Sequence, residues 1–448
     1  MNCIGSIFEG HFNNIATNRS VVLDSYNQKT RPLTESANTG LEASGPQDEF
    51  ALQQLLRPYF GKFGVNDSPI GTHPDFIDLD HDNSLTRNQY ICTLFVDIKR
   101  STRLSLLYDL DFIFQFKNAV IKTCTETVRS FDGHVHRLMG DAVMAFFGSN
   151  STSKEDAIAD AINCSVCLRV LLEEDIKPWM QRQGMDPSDF GFRVGCDFGD
   201  HNEVVWGKFG YENLGEVSAT GLQVDMASKL QSLAGKNQAM LGQGLLDYVE
   251  WPAKYSKIKT KTKNGETENL PFVTPNITDR NGIPLNYQMR ELAYTKSIEF
   301  SALPASIRSA INDSKVISNE KISFKCFVVN GDEQSEYKSS SRFLDKKLDL
   351  SFEVSARVTG ELKFPLKVVF TKTNHGKQTP FDERDKEQVR SIKTLSVTPS
   401  QYRSLFAPGV KTYCQESTAY RGMHTMKCDV FDSGNSHVFR DWIGVMIK

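Results

Sequence analysis

The first half of the chain carries short apolar runs that are each interrupted by one carboxylate. The run Ile91–Val96 predicts a buried strand that ends at Asp97. A second strand through Val135 reaches a Gly-Asp pair and continues as an apolar run to Phe147. A Gly-Asp pair between two apolar strands predicts a hairpin, so Asp141 is expected at its tip. Both carboxylates therefore stand where a strand ends.

Helical and strand-like patterns alternate through the same half. Apolar residues recur at spacings of three and four in some segments and form short continuous runs in others. The predicted helices span 104–128, 153–172 and 220–230, and the predicted strands span 192–198 and 203–206. In the last helix Val224, Ala227 and Leu230 are expected to face inward. The pattern predicts an α+β domain.

The second half reads differently, because apolar and polar residues alternate with a period of two. That alternation predicts strands near 322–329, 348–354, 366–370 and 424–430, and hence a β-rich, sandwich-like domain. The preceding segment is rich in Pro, Asn, Thr and Gly and is interpreted as a linker. The predicted divisions are an N-terminal arm with one helix (1–88), a catalytic domain (89–275), the linker (276–297) and the β-rich domain (298–448).

The N-terminal arm is predicted to be largely without a core of its own. Residues 1–46 are rich in Asn, Ser and Thr and are expected to form a mobile lead or a short arm. A helix is expected from about Asp48 to Phe63, because its apolar residues recur at spacings of three to five.

The amino-acid composition limits the classes of binding partner to be expected. With 52 basic and 55 acidic residues the net charge is −3, so neither nucleic acid nor an anionic membrane is expected as a partner. The nine cysteines fall largely in apolar patterns, as reduced buried thiols do. No apolar run reaches 18 residues and no leader peptide is recognised, so a soluble cytoplasmic protein is expected.

Two strand-end carboxylates brought together by a sheet suggest a specific chemistry. Asp97 is followed by the polar turn 99–102, whose backbone N–H groups can cradle phosphate. Together with Asp141, it would suit a pair of divalent cations that hold a nucleoside triphosphate. The alternative is that both are ordinary solvated turn residues.

A third stretch supports the metal-site interpretation. It comprises Phe192–Gly199, Gly207 and the helix Gly221–Leu230. With the first two stretches in order, residues 90–275 resemble the catalytic domain of class III nucleotidyl cyclases. The resemblance implies an antiparallel sheet with helices on its outer face, and a homodimer with shared active sites.

The same resemblance assigns metal ligands. It implies that Asp97, the carbonyl of Ile98 and Asp141 bind two divalent ions, Mn²⁺ or Mg²⁺. The cations would activate the ribose 3′-hydroxyl for attack on the α-phosphorus and neutralise the departing pyrophosphate.

Further catalytic residues depart from the family pattern. Lys229 takes the place of a transition-state arginine and Asp225 that of an asparagine that orients the ribose. Without the resemblance, these two residues would be an ordinary surface ion pair one helical turn apart. Lys261 and Lys263 lie in a predicted lysine-bearing hairpin and are candidates to grip the triphosphate, or else guard an edge strand.

The base-reading residues match neither purine pattern. Arg137 and Ser218 occupy the places that carry lysine and aspartate in adenylyl cyclases, and commonly glutamate and cysteine in guanylyl cyclases. A guanidinium only donates, which fits the two carbonyl acceptors of uracil and also O2 and N3 of cytosine. The chain thus resembles the pyrimidine cyclases of bacterial antiphage systems. UTP is expected ahead of CTP, with cyclic UMP or cyclic CMP read by a separate effector.

The β-rich domain carries a resemblance of its own. Val328–Glu333 and Glu416–Cys428 are similar to the C-terminal sensor domain of some bacterial antiphage cyclases. Tyr420 and His424 are candidates either for nucleotide contact or for structural roles in a sheet.

Two alternatives stay open at this point. One is an adenylate cyclase with an unusual base-reading site. The other is a catalytically inactive homologue that only binds nucleotide, although the presence of both Asp97 and Asp141 argues against it.

Overall fold

The computed structural model of the protein describes residues 6–13, 50–81, 84–211, 214–274, 277–398 and 409–448. These residues form helices packed on a central sheet, followed by two stacked sheets. The predicted α+β fold class is confirmed.

The helices are numbered along the described chain. They are α1 (7–13), α2 (Ala51–Leu56), α3 (Ser101–Leu107), α4 (Leu110–Ser130), α5 (Lys154–Leu171), α6 (Lys177–Arg182), α7 (Leu222–Leu233), α8 (Gln243–Tyr248), α9 (Tyr294–Glu299) and α10 (Ala305–Ala310). A 3₁₀ segment, Arg57–Phe60, continues α2, so the helix predicted near 48–63 is confirmed over its described part. The helix predicted over 104–128 is divided in two, because Tyr108 adopts an extended conformation.

The strands of the catalytic half come first. They are β1 (Thr86–Asn88), β2 (Ile91–Ile98), β3 (His134–Met139), β4 (Ala142–Phe147), β5 (Phe192–Gly199), β6 (Val205–Tyr211), β7 (Leu214–Thr220), β8 (Gln238–Gly242), β9 (Ser256–Lys257), β10 (Lys259–Lys263), β11 (Glu266–Leu270) and β12 (Met289–Leu292). The C-terminal strands are β13 (Ile322–Asn330), β14 (Glu333–Tyr337), β15 (Phe343–Leu344), β16 (Asp349–Ala356), β17 (Leu366–Thr373), β18 (Glu387–Leu395), β19 (Val410–Ser417), β20 (Gly422–Phe431) and β21 (His437–Ile447).

The central sheet has seven strands in the order β3-β4-β2-β5-β8-β12-β9. Its neighbouring strands are antiparallel except for β5 and β8, which run parallel. Every residue of β2 is buried, and side chains alternate between the two faces of the sheet. Leu94 and Val96 join the core formed with α4 and α5, whereas Phe95 joins a second core with α7. Asp97, two residues after Phe95, consequently faces α7.

A glycine sets how closely α7 approaches this face. A Cβ atom at Gly195 of β5 would lie 2.2 Å from the carbonyl oxygen of Ala227 and 2.2 Å from the backbone nitrogen of Gln231. Only a residue without a side chain fits beneath the helix there. The close approach brings the C-terminal half of α7 over the strand next to Asp97.

The C-terminal domain is a sandwich of two sheets, as predicted. One sheet has the order β14-β13-β16-β19 and the other β15-β21-β20-β17-β18. Their inner faces share a core that includes Phe352, Phe370 and Phe439. The four strands predicted from the period-two pattern all form, with small shifts at their ends.

The sandwich packs directly against α5 of the catalytic half. The side-chain amide of Asn163 donates to the carbonyl of Ser340 at 2.8 Å, and Asp156 accepts from the backbone N–H of Phe343 at 2.7 Å. Met446 belongs to the same hydrophobic cluster as the α4 and α5 side chains. Buried contacts of this kind join the two halves through their cores.

The N-terminal lead was predicted to be mobile, and this is wrong for residues 7–13. Helix α1 inserts Phe8 between Phe116 and Trp179, with ring centroids 5.7 Å and 5.0 Å away. Phe12 packs on the same Trp179, with ring centroids 4.7 Å apart, so two aromatic side chains anchor this helix within a largely polar stretch of sequence. The remainder of the predicted lead, 1–5 and 14–46, lies outside the described residues.

The predicted linker also differs from the structure. Strand β12 lies within 276–297 and pairs with both β8 and β9 of the central sheet. Upstream of it, the Tyr287 hydroxyl donates to buried Asp197 at 2.6 Å, and burial raises the pKa of that carboxyl to about 7. The turn-forming residues around β12 make the segment look like a linker in the sequence, although its four residues form a strand of the central sheet.

Two expectations from composition can be compared with the described residues. The eight cysteines that lie in them are free and buried, in keeping with reduced thiols. No helix in the described ranges is long and apolar enough to span a bilayer.

Candidate active site

Asp97 ends β2 in a nearly enclosed setting. Its side chain is 12% exposed, and its Oδ2 accepts hydrogen bonds from Arg193 Nη2 and, at 3.0 Å, from Gln231 Nε2. Arg193 lies directly opposite Asp97 in the antiparallel pairing of β2 with β5. The strand pairing therefore places the Arg193 guanidinium, and the close approach of α7 places the Gln231 amide, on the same oxygen of Asp97.

Asp141 reaches the same place from the β3–β4 hairpin. Gly140 has a φ of +67°, which suits glycine at the first central position of a two-residue turn. Ala142 pairs with Asp97, and the N–H of Ile98 donates to the carbonyl oxygen of Asp141 at 3.3 Å. The three predicted metal ligands, Asp97, Ile98 and Asp141, are thus brought to one edge of the sheet.

The two carboxylates influence each other electrostatically. Burial raises the pKa of Asp97, and the negative charge of Asp141 raises it further, whereas the hydrogen bond from Arg193 lowers it. In the described ranges, no group of three or more His, Cys, Asp or Glu side chains is arranged so that it could hold a metal ion by itself. Two carboxylates and a backbone carbonyl are oxygen donors that suit Mg²⁺ or Mn²⁺, with water and phosphate oxygens completing the shell.

Arg137 and Ser218 lie apart from the two aspartates, on β3 and β7. Arg137 Nε donates to Glu216 Oε1 at 3.0 Å, and its Nη2 bonds the other oxygen. Ser218 is buried two residues beyond Glu216, so the two side chains share a face of β7. The two predicted base-reading residues therefore stand on strands of different sheets, and the Arg137–Glu216 ion pair joins those strands.

Asp225 and Lys229 are exposed, one turn apart on α7. Lys229 lines a cleft of about 1030 Å³ together with Gln243, Asp247 and Tyr287. That cleft includes neither metal-site aspartate, and the α7 residue that reaches Asp97 is Gln231. Within one chain, the structure does not bring Asp225 and Lys229 to the predicted metal ligands.

Lys261 and Lys263 lie on the predicted hairpin, which forms a separate two-stranded sheet. Its turn, Asn264-Gly265, has φ values of +53° and +85°, and Lys261 pairs with Glu268 across the strands. Both lysines are exposed. Lys259, at the start of the same strand, has its pKa lowered by burial and by the nearby charge of Lys99, which follows the metal-site strand. The hairpin therefore begins close to the metal edge and extends into solvent.

This chain has relatives that align with it over most of its length. A cytidylate cyclase of Escherichia coli is 41% identical over 407 residues, covering 89% of this chain and 88% of that protein. A cytidylate cyclase of Staphylococcus aureus is 32% identical over 402 residues, with the same two coverages, 89% and 88%. This chain belongs to the cytidylate cyclase family. The prediction of a nucleotidyl cyclase is confirmed.

The two halves of this cyclase have further matches. Residues 301–448 match the family described as the Adenylyl/Guanylyl and SMODS C-terminal sensor domain, as the sequence predicts. Among solved structures, the adenylyl cyclase CyaB from P. aeruginosa is 18% identical, covers 46% of this chain and 95% of its own, and has a TM-score of 0.37.

In that sensor domain, His424 has a structural environment. Its Nδ1 accepts from the backbone N–H of His375 at 3.2 Å, so its Nε2 donates to the carbonyl of Tyr420 at 2.8 Å. Burial lowers the pKa of His424 to about 4. With both ring nitrogens engaged, the structural interpretation of His424 is favoured over nucleotide contact.

Sequence reasoning missed three residues of the cyclase site: Arg193, Gln231 and Glu216. Arg193 lies inside a stretch that the sequence singles out, but its partner depends on which strands pair. Gln231 follows the α7 motif, and only the approach over Gly195 directs it to Asp97. No local pattern marks Glu216.

Proposed function

We propose that this cyclase converts CTP to 3′,5′-cyclic CMP and pyrophosphate. The observation that carries the proposal is its likeness to cytidylate cyclases over most of their length, including a second E. coli enzyme that is 33% identical over 415 residues. This likeness favours CTP over the UTP ranked first by the sequence. Cyclic UMP is the second candidate, because the donors of Arg137 also fit the carbonyls of uracil.

The reaction would run at the edge that holds Asp97, Ile98 and Asp141. Bound Mn²⁺ or Mg²⁺ ions would lower the pKa of the ribose 3′-hydroxyl and neutralise charge on the triphosphate. The bond from O3′ to the α-phosphorus forms as the bond to pyrophosphate breaks, and the hydroxyl proton passes to solvent. Asp97 and Asp141 supply carboxylate oxygens to the cations.

Arg193 can pair either with Asp97 or with the triphosphate of the substrate. With no cation present, it neutralises Asp97 through a short ion pair. If that carboxylate bound a cation, the guanidinium would become available to a phosphate oxygen of the substrate. We infer that Arg193 holds Asp97 in place before substrate binds and then contacts the triphosphate.

The remaining catalytic roles require a homodimer. Asp225 and Lys229 are exposed and lie outside the metal edge of their own chain. In the proposed dimer they enter the partner's site, where Lys229 stabilises charge on the phosphorus and Asp225 orients the ribose. A lysine supplies the charge without the bidentate geometry of an arginine.

The sensor-domain match supports a signalling role. We propose that the cyclic pyrimidine nucleotide is a second messenger in antiviral defence and is read by a separate effector protein. Direct burial of the sandwich against α5 gives the sensor domain a physical route to the catalytic sheet.

The decisive experiment is product analysis. Purified protein is incubated with Mn²⁺ and equal concentrations of ATP, GTP, CTP and UTP, and the cyclic products are separated by mass spectrometry. Cyclic CMP should predominate. Mainly cyclic UMP would overturn the choice of base, and mainly cyclic AMP or cyclic GMP would overturn the pyrimidine assignment altogether.

A further inference from the structure

Glu216 forms a planar, two-bonded ion pair with Arg137. Arg137 Nε and Nη2 each donate to one of the two carboxylate oxygens. The side chains are 44% and 41% exposed, so the outer edge of the pair is open to solvent. A bidentate pair of this kind fixes both groups in one plane.

Buried His136 lies behind Glu216, and its Nε2 makes no hydrogen bond within the described residues. His136 Nε2 lies 3.0 Å from Glu216 Oε1 and is fully buried, while its Nδ1 lies 2.9 Å from the carbonyl oxygen of Gly71. The carboxylate therefore rests between a fixed ring and the guanidinium. Glu216 also shares its face of β7 with Ser218, the second predicted base-reading residue.

The exposed edge of the Arg137–Glu216 pair presents hydrogen-bond donors and one acceptor in a fixed order. A guanidinium has five N–H donors, and Glu216 takes two of them, which leaves three on the terminal nitrogens. Within the described residues Oε2 accepts from Arg137 alone, so a lone pair on this oxygen stays available beside a free N–H. The edge thus presents donors followed by an acceptor.

Cytosine has the complementary edge. Its O2 and N3 accept, and its exocyclic N4 amino group donates. Uracil reverses the last two groups, since its N3 donates and its O4 accepts. Resting on the proposed use of CTP, we propose that Glu216 selects cytosine by accepting from N4 while Arg137 donates to N3 and O2. With uracil, O4 would face the carboxylate and N3–H would face an N–H donor.

The Glu216 carboxylate changes which base Arg137 favours. A lone guanidinium favours uracil, which has two carbonyl acceptors. Paired with Glu216, the same guanidinium becomes part of a mixed edge that only cytosine matches. Each mismatched polar contact should reduce turnover about tenfold to a hundredfold.

The test is a competition between CTP and UTP in the full-length protein. We expect Glu216→Gln to shift the ratio of cyclic CMP to cyclic UMP at least about tenfold towards cyclic UMP, because the amide can donate to O4. Glu216→Asp should keep the preference for CTP with lower kcat/KM. Glu333→Gln, an exposed carboxylate on β14, is the matched control and should leave the ratio unchanged.

The competition ratio does not depend on how much of a variant folds, because both substrates meet the same active molecules. A ratio within about twofold of wild type for Glu216→Gln, with wild type making cyclic CMP, overturns the role of Glu216 and leaves the proposed function intact. If wild type itself makes mainly cyclic UMP or a purine product, the proposed function fails instead. A variant without any measurable product is decided by Glu216→Asp, whose loss of CTP preference would also overturn the proposal.

Discussion

The catalytic half has two working edges that are built on opposite electrostatic terms. At the metal edge, Asp97 and Asp141 bring like charges together, and the pKa of Asp97 is raised chiefly by burial and further by the charge of Asp141. At the base edge, Arg137 and Glu216 neutralise each other and leave an exposed hydrogen-bonding surface. The first edge favours the arrival of cations, whereas the second is complete before any ligand binds.

Because the two edges differ in their charge balance, we expect them to respond differently to substitution. Removing Asp141 relieves repulsion and removes a metal ligand, whereas removing Asp97 removes a ligand and also leaves the partly exposed Arg193 guanidinium without its carboxylate. Removing one member of the base edge leaves the other charge without its partner and alters selection before it alters the rate of bond formation. The predictions below test these contrasts in order of expected size.

The largest effect is expected from Asp97→Ala or Asp141→Ala. Loss of a metal ligand should reduce cyclisation about a thousandfold or more, a loss of several kcal/mol in transition-state stabilisation. Activity is measured under saturating Mn²⁺, and thermal unfolding is followed by circular dichroism. Asp349→Ala, an exposed aspartate at the start of β16, is the control and should retain activity. Near wild-type activity in either metal-edge variant would contradict the two-cation site.

The second largest effect is expected from separating Lys229 and the metal ligands of one site onto different chains. Asp97→Ala and Lys229→Ala proteins should each be inactive, yet a mixture should recover about a quarter of wild-type activity, because half of the random dimers carry one intact site of two. Two different affinity tags allow the mixed dimer to be isolated and assayed by itself. Verified mixed dimers that stay inactive would show that the sites are not shared in this way.

A third prediction concerns the histidines beneath the base edge. Burial lowers the pKa of His134 to about 4, and its Nε2 lies 2.8 Å from the carbonyl of Gly71. The folded state thus binds fewer protons than the unfolded state, so stability is present above about pH 6.5 and is lost as pH falls towards about 4.

Between pH 7 and pH 5, His134 should therefore lower the free energy of unfolding by on the order of 2 kcal/mol. His134→Gln, which keeps an N–H for the Gly71 carbonyl, should lose correspondingly less on acidification. Urea unfolding at the two pH values measures the difference. Equal losses in wild type and variant would show that His134 does not carry this dependence.

The smallest effect is expected for the lysine hairpin. Lys261→Gln and Lys263→Gln should each lower kcat/KM for CTP about fivefold, because an exposed lysine contributes at most about 1 kcal/mol to binding a phosphate. The effect should shrink as salt concentration rises. Lys386→Gln in the sandwich domain is the control. Unchanged kcat/KM in both hairpin variants at low salt would contradict a role in substrate binding and favour the alternative, in which these lysines keep an exposed edge strand from pairing with other strands.

The sequence alone determined the parts of this protein that depend on local pattern. The carboxylate hairpin at Asp141, the strand that ends at Asp97 and the inward face of α7 are all recoverable from periodicity and turn chemistry. The same holds for the sandwich strands, whose alternation has a period of two. These features are local because side-chain direction repeats along a strand or helix.

Tertiary structure decided the partners of those residues. Arg193 and Gln231 meet at Asp97 because two strands pair in one register and because Gly195 admits α7. Glu216 reaches Arg137 across 79 residues of sequence, so no local pattern predicts an acceptor at the base edge. Helix α1 is likewise anchored by side chains distant in sequence, since Phe8 and Phe12 both pack against Trp179. Contacts between distant segments depend on how whole elements pack, and that packing turned a donor-only arginine into half of a cytosine-matching pair.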